Sequence, residues 1–303
     1  MQWSDLDARA RGLATRLLGR ARLESLARAA DLPAAAAELA RLGLVPLAAG
    51  GASPSLLEEG LRRTAAARLL VLARWSGDRE SALALLYEEE DRRSLRALLR
   101  GAAAGTPPEM RLAGLIPTPA LPEKALRELA RQPTPAAVAV LLVAWGNPYG
   151  PPLLAEAERP HPELFALESA LGQVFTERLL RAARRGGWEL KTWVRETIEL
   201  ESSLAVLLLA EDRAEAARHL GHTFRGTPFA AAFEGDSSEL ETEILGIRLR
   251  ALAAAARRRP LGPAPFLLYL LRLRAELLDL RKVLWGIALG VPRERLAREL
   301  VTP

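Results

Sequence analysis

Between Phe266 and Ile287 the apolar side chains recur in alternating steps of four and three: Phe266, Leu270, Leu273, Leu277, Leu280, Leu284 and Ile287. That spacing follows the 3.6-residue helical turn and predicts one long helix between Pro263 and Gly290. By itself the stripe would suit a coiled-coil seam against a single partner. Leu267, Leu271, Leu278 and Val283 widen it, so the helix is expected to be buried among several others.

The rest of the chain repeats this grammar. Half of its 303 residues are apolar, mostly Leu and Ala, with few Val, Ile or Thr. Leu, Ala, Arg and Glu lose little entropy in a helix, whereas β-branched residues favour strands. An all-α chain is therefore expected. Ser4 is the expected cap of a first helix carrying Leu6, Leu13 and Leu17, and further helices are expected at 33–43, 55–75, 78–100, 135–145, 163–185, 188–210, 212–220 and 238–256. Thr134-Pro135 is a cap followed by a first-turn proline. Segments 46–54, 105–122 and 146–162 are rich in Pro and Gly and read as loops, the last being the expected boundary between sub-units.

Composition excludes several classes. With no cysteine there is no disulfide framework, thiolate nucleophile or Cys-based zinc site. The net charge of +5 is almost entirely Arg, since only Lys124, Lys191 and Lys282 are lysines. The basic residues form short knots (Arg62-Arg63, Arg92-Arg93, Arg181/Arg184/Arg185, Arg257-Arg258-Arg259), read as solvated helix faces, with a surface facing anionic lipid or an acidic partner as the sharper alternative. No nucleic-acid arm is indicated. The start Met1-Gln2-Trp3-Ser4-Asp5 lacks the pattern of a signal peptide. The longest apolar run, the ten residues Ala136 to Trp145, is half the roughly 20 needed to span a bilayer.

Catalytic signatures are missing. No lysine follows a glycine, so no Walker loop exists, and the pairs Gly50-Gly51 and Gly186-Gly187 do not extend to a dinucleotide fingerprint. There is no G-x-S-x-G elbow. His219 and His222 could share a helix face, but Gly221 is expected to break that helix, and no third metal ligand is linked to them. His161, between two prolines, reads as a loop residue. Glu88-Glu89-Glu90-Asp91 before Arg92-Arg93 suggests a helix start or an exposed face with i,i+4 ion pairs rather than a catalytic pair. Trp188 and Trp193 flank Lys191 and read as core or interface anchors rather than a base-stacking platform. No catalytic, cofactor-binding or metal residue is expected.

An acidic residue, Leu four later, and apolar residues three and four beyond describes Asp91, Leu95, Leu98 and Leu99, and again Glu276, Leu280, Val283 and Leu284. A weaker copy, Leu204, Leu207 and Leu208, has Leu200 in the acidic position. The order of features around these copies resembles the C subunit of V/A-type rotary ATPases, called d in the vacuolar enzymes. Pro260-Leu261-Gly262, Phe266 to Leu270 including Tyr269, then Glu276, Asp279-Leu280-Arg281, Val283 and Gly286, is similar to that family's last long helix. Gly290-Val291-Pro292-Arg293, Leu296 and Glu299-Leu300-Val301 continue the likeness. Ala8-Arg9-Ala10-Arg11 with Leu17-Leu18, the stretch Glu90 to Arg100, and Gly226-Thr227-Pro228-Phe229 with Glu239-Leu240-Glu241 resemble its other helices. The chain departs from the family at Leu200 and Ser203 and is shortened between Leu209 and Gly226.

The resemblance implies three similar helical units in a pseudo-threefold funnel: 1–150 with its Pro-rich connector, a shortened 151–225, and 226–303. It implies structural roles for Asp91, Leu95, Leu98, Tyr269, Glu276, Leu280, Arg281 and Gly286. It further implies a non-catalytic rotor subunit, without cofactor or small-molecule substrate, on the cytoplasmic face of the cell membrane. Its partners would be the proteolipid rotor ring, the central-stalk subunits and the membrane surface. The alternatives are a generic helical scaffold, a basic nucleic-acid-associated helical protein, and an enzyme with an unrecognised carboxylate site.

Overall fold

The computed structural model describes residues 3–46, 52–76, 80–184, 188–210, 212–234 and 240–303. The glycine pairs 50–51 and 186–187, Arg185 and Glu239 lie outside the described residues, as do the side chains of Trp188, Leu208 and Glu241. Among the described residues every regular element is a helix: α1 (Ser4–Ala14), α2 (Arg20–Ala27), α3 (Leu32–Arg41), α4 (Pro54–Ser76), α5 (Glu80–Ala103), α6 (Pro108–Arg111), α7 (Glu123–Ala130), α8 (Pro135–Ala144), α9 (Gly150–Ala157), α10 (Leu164–Ala183), α11 (Trp188–Leu209), α12 (Arg213–Thr223), α13 (Phe229–Glu234), α14 (Leu240–Arg258), α15 (Ala264–Ala288) and α16 (Arg293–Arg298). None is long and apolar enough to cross a membrane.

The chain forms two compact units. Leu32–Gly186 is one; Met1–Asp31 joined to Gly187–Pro303 is the other. In the first, α5 is the central helix, packed by α4, α6, α7, α8 and α10. It buries Leu95, Leu98 and Leu99 completely. The segment 146–162 folds inside this unit and contains α9. Thr134 Oγ1 accepts from Ala137 N–H at 3.2 Å, the cap expected for α8. Helix α9 then crosses α8 so closely that a Cβ on Gly150 would lie 2.5 Å from the Val143 nitrogen.

In the second unit α15 takes the central place, against α1, α2, α14 and α16. It buries residues around its whole circumference, Leu271 and Ala275 opposite Phe266, Leu273 and Leu280, as the widened stripe requires. A satellite core joins α11 to α14 through Leu200, Leu207, Leu220, Phe224, Phe233 and Ile244.

Four local expectations are corrected. Ser4 lies inside α1, whose cap position is Trp3 without a side-chain cap bond, and α1 ends before Leu17. Helix α5 runs through Gly101 to Ala103. Helix α12 runs through Gly221 and His222 to Thr223. A helical glycine costs only about 1 kcal/mol relative to Ala, and burial of Leu220 and Gly221 offsets it. The chain turns instead at Gly226, whose φ of +82° suits glycine. The connector 105–122 contains one helical turn, α6.

Candidate functional site

The polar residues that matter sit inside the units. Glu88, Glu89, Glu90, Asp91 and Arg92 are all buried in mid-α5, which overturns both a helix start and an exposed face. Their helix is covered on several sides, so a polar run that would normally face water is enclosed. The i,i+4 pair is present, Arg93 Nη2 to Glu89 Oε1 at 2.5 Å, but its carboxylate is internal.

The enclosed groups find partners on other elements. Tyr149 Oη donates to Glu88 Oε2 at 2.8 Å, and Arg178 Nε donates to Glu88 Oε1 at 2.7 Å. The carboxylate thus ties the α8–α9 turn and α10 to α5. Asp91 accepts from Thr118 Oγ1, which accepts from Leu121 N–H at 3.0 Å, so the proline-rich connector is pinned through two bonds. Arg92 lies over the Phe175 ring, 4.7 Å from its centroid. Burial pushes Asp91 up to about 7; the Thr118 bond opposes this, and Glu88 and Glu90 add to it. Burial pushes Glu90 up to about 7 as well, with Arg93 and Arg92 opposing. Burial, then the Glu88 carboxylate, raises the Tyr149 phenol far above its ordinary range.

The basic knots divide. Arg258 and Arg259 are exposed, but Arg62 is buried beside Leu115 O and Glu123, and burial lowers its pKa. Buried Arg111 donates to Thr106 O, Ala130 O and Gln132 O, closing the C-terminal end of α7. Nothing in the sequence next to Arg62 or Arg111 separates such an arginine from a solvated one.

Helix α15 does the same work in its own unit. Buried Glu276 accepts from Leu18 N–H just before α2. Asp279 accepts from Val301 N–H and Thr302 N–H, both at 2.8 Å. Arg20 donates to Ala297 O and Leu300 O at 3.0 Å, and Lys282 Nζ to Glu299 O at 3.1 Å. The C-terminal tail is therefore clasped from both sides. Of the residues the resemblance singled out, Leu280 and Tyr269 are buried, Arg281 is half-buried, and Gly286 lies under the Leu296 methyl groups of α16. Asp91, Leu95 and Leu98 belong to the unit of α5; Tyr269, Glu276, Leu280, Arg281 and Gly286 to that of α15. The sequence pointed to neither Arg20 nor Tyr149; it placed Glu88 only in the acidic run and Asp279 only within the family resemblance, and announced no bonding partner for either.

His219 and His222 are exposed on α12, and His161 is exposed. Among the described residues no group of three or more His, Asp or Glu is placed to hold a metal ion. Trp193 is buried with the Arg248 guanidinium 5.1 Å from its ring centroid, an anchor within its unit. Chemically, these arrangements pair buried carboxylates with N–H and O–H donors and buried arginines with helix-end carbonyls.

No match is found among curated proteins. A family model described as ATP synthase (C/AC39) subunit matches residues 6–210 and 201–299, essentially the whole described chain. On that coverage, and with an all-helical body whose named motif residues are packing and clasping groups, the chain belongs to the ATP synthase (C/AC39) subunit family, the C subunit of V/A-type rotary ATPases.

Proposed function

We propose that this chain is the non-catalytic rotor adaptor of its ATPase, seated on the proteolipid ring at the cytoplasmic face of the membrane and receiving the central stalk. The observation that carries the reading is the family match along both 6–210 and 201–299. Torque transfer asks for stiffness rather than reactive groups. Close-packed helices whose buried carboxylates are bonded across elements supply it.

The arrangement we propose is three similar units, 1–150, 151–225 and 226–303, about a pseudo-threefold axis. Supporting it, Asp91 on α5 and Glu276 on α15 are both buried and both accept a donor from a neighbouring segment. The residues at corresponding spacing, Leu95, Leu98 and Leu99 against Leu280, Val283 and Leu284, are buried in both helices. In α11 the equivalent acid is replaced by Leu200, which joins an apolar core.

Affinity capture of the tagged chain from native membranes tests the assignment. Co-isolation of proteolipid and stalk subunits in fixed ratio is expected, and a different partner set would overturn it. Electron microscopy of the captured complex tests the arrangement: a funnel with three lobes between ring and stalk is expected, and a single superhelical rod would reject it.

A further inference from the structure

From Gln132 to Ala155 the chain runs through twenty-four residues without a charged side chain, although 26% of all its residues are charged. Helix α8 lies in this stretch and carries no polar side chain between Pro135 and Ala144. A helix that is apolar all round is normally buried on every side. Here α5 and α9 pack on it, and Val138, Ala139 and Leu142 are buried. The other side lies open: Val140 is 53% exposed, Val143 37% and Trp145, just beyond the last turn, 39%, with Ala144 exposed between them. An open apolar face of this kind marks a surface that another apolar body covers.

Charge and hydrogen bonding favour a bilayer over a protein as that cover. A protein interface exchanges about one hydrogen bond per 100–200 Å². Helix α8 has no side chain to offer one, whereas the acyl boundary of a bilayer asks for none. The match is of neutral with neutral, since the helix brings neither a cation to attract an anionic partner nor a carboxylate that lipid would have to dehydrate. Its backbone ends are closed as well, which a lipid environment demands. Pro135 has no N–H, Ala137 N–H donates to Thr134 Oγ1, and Val138 N–H donates to Thr134 O at 3.1 Å. At the other end the carbonyls of Leu141, Leu142 and Val143 accept from the N–H groups of Trp145, Asn147 and Gly146 at 2.9–3.1 Å, with Gly146 turning the chain at φ +66°. Trp145 stands at this end, where the apolar ring and single N–H of an indole suit the headgroup level.

We propose that the open face of α8, formed by Val140, Val143, Ala144 and Trp145, inserts into the headgroup–acyl boundary of a lipid bilayer with the helix lying in the membrane plane. Its ten residues are too few to cross, so the contact is peripheral. The attraction is apolar; it needs no anionic lipid and is not screened by salt. It concerns this one surface of the α5 unit and holds or fails separately from the rotor reading, which the capture of native complexes tests.

Flotation of the full chain with phosphatidylcholine vesicles tests the proposal. The chain should rise with the vesicles to the same extent at about 0.05 M and about 0.5 M sodium chloride. Val140→Gln combined with Val143→Gln changes no charge, and Gln is a better helix former than Val. Binding of that variant should fall at least about tenfold with the circular dichroism unaltered. Vesicles brominated on their acyl chains should quench the tryptophan fluorescence of the parent, and Trp145→Phe should lose the larger share of that quenching. Failure to float, flotation that requires phosphatidylglycerol and vanishes with salt, binding that survives the double substitution, or quenching that Trp145→Phe leaves intact would each overturn the proposal. So would a dimer in light scattering that the double substitution disperses, since a second copy would then cover the face.

Discussion

Replacing Glu90 by Gln asks whether the carboxylates enclosed in α5 hold protons while the chain is folded. Burial is the largest influence on Glu90 and pushes it from 4.5 up to about 7, against the opposing pull of Arg93 and Arg92. A group that holds its proton more tightly in the folded than in the unfolded chain stabilises the fold fully below its unfolded pKa. That contribution is lost as pH rises through the folded pKa. At about 1.4 kcal/mol per decade of proton affinity, the interval amounts to about 3 kcal/mol, of which about 2 kcal/mol disappears between pH ~5.5 and ~8.5. Gln has the shape of the protonated acid and does not titrate. Urea unfolding followed by circular dichroism should show Glu90→Gln gaining on the parent across that window by about 2 kcal/mol. Asp91, also raised to about 7, titrates in both proteins; Gln removes the part of that rise that comes from the Glu90 charge, which adds to the gain at high pH. A gap that stays level or narrows with rising pH would refute the reasoning, since it would mean that Arg93 keeps Glu90 ionised in the fold.

Three further substitutions probe the packing and the clasps. Leu98→Ala removes a fully buried side chain from α5 and should cost about 2–5 kcal/mol in chemical unfolding. Gly286→Val places a branched side chain where the Leu296 methyl groups lie, and should lower stability by about 1–3 kcal/mol; Leu296→Ala in the same chain should restore part of the loss. Asp279→Ala removes both acceptors of the C-terminal tail, so the Val301 and Thr302 amides should exchange roughly thirtyfold faster, read by hydrogen–deuterium exchange.

The sequence was most legible where one helix decides its own fate. The stripe of α15 gave both the helix and its burial on all sides, and Thr134-Pro135 gave the start of α8. It was least legible where a residue's environment is set by chain far away. Glu88 meets Tyr149 and Arg178, which lie 61 and 90 residues on, and no local pattern announces either partner. The helices α2, α7, α9 and α13 have at most eight residues and are held by the helices they pack on, so propensity alone does not bring them out. Gly221 shows the same limit from the other side, because an intrinsic penalty of about 1 kcal/mol is overridden by the core that α12 joins.

Leu- and Ala-rich helices present surfaces that are nearly alike from one turn to the next, so sliding by a turn changes apolar burial little. A buried carboxylate removes that degeneracy. Shifted by a turn, Glu88 would lose Tyr149 and Arg178, and Asp279 would lose two tail amides, each leaving a charge enclosed without donors at a cost of several kcal/mol. The same logic applies in reverse to Arg111, whose guanidinium is held by the carbonyls of Thr106, Ala130 and Gln132, and to Arg20, which joins Glu24 to the carbonyls of Ala297 and Leu300. Apolar packing therefore supplies the cohesion of each unit, and the enclosed charges select one register from the many that cohesion alone would permit.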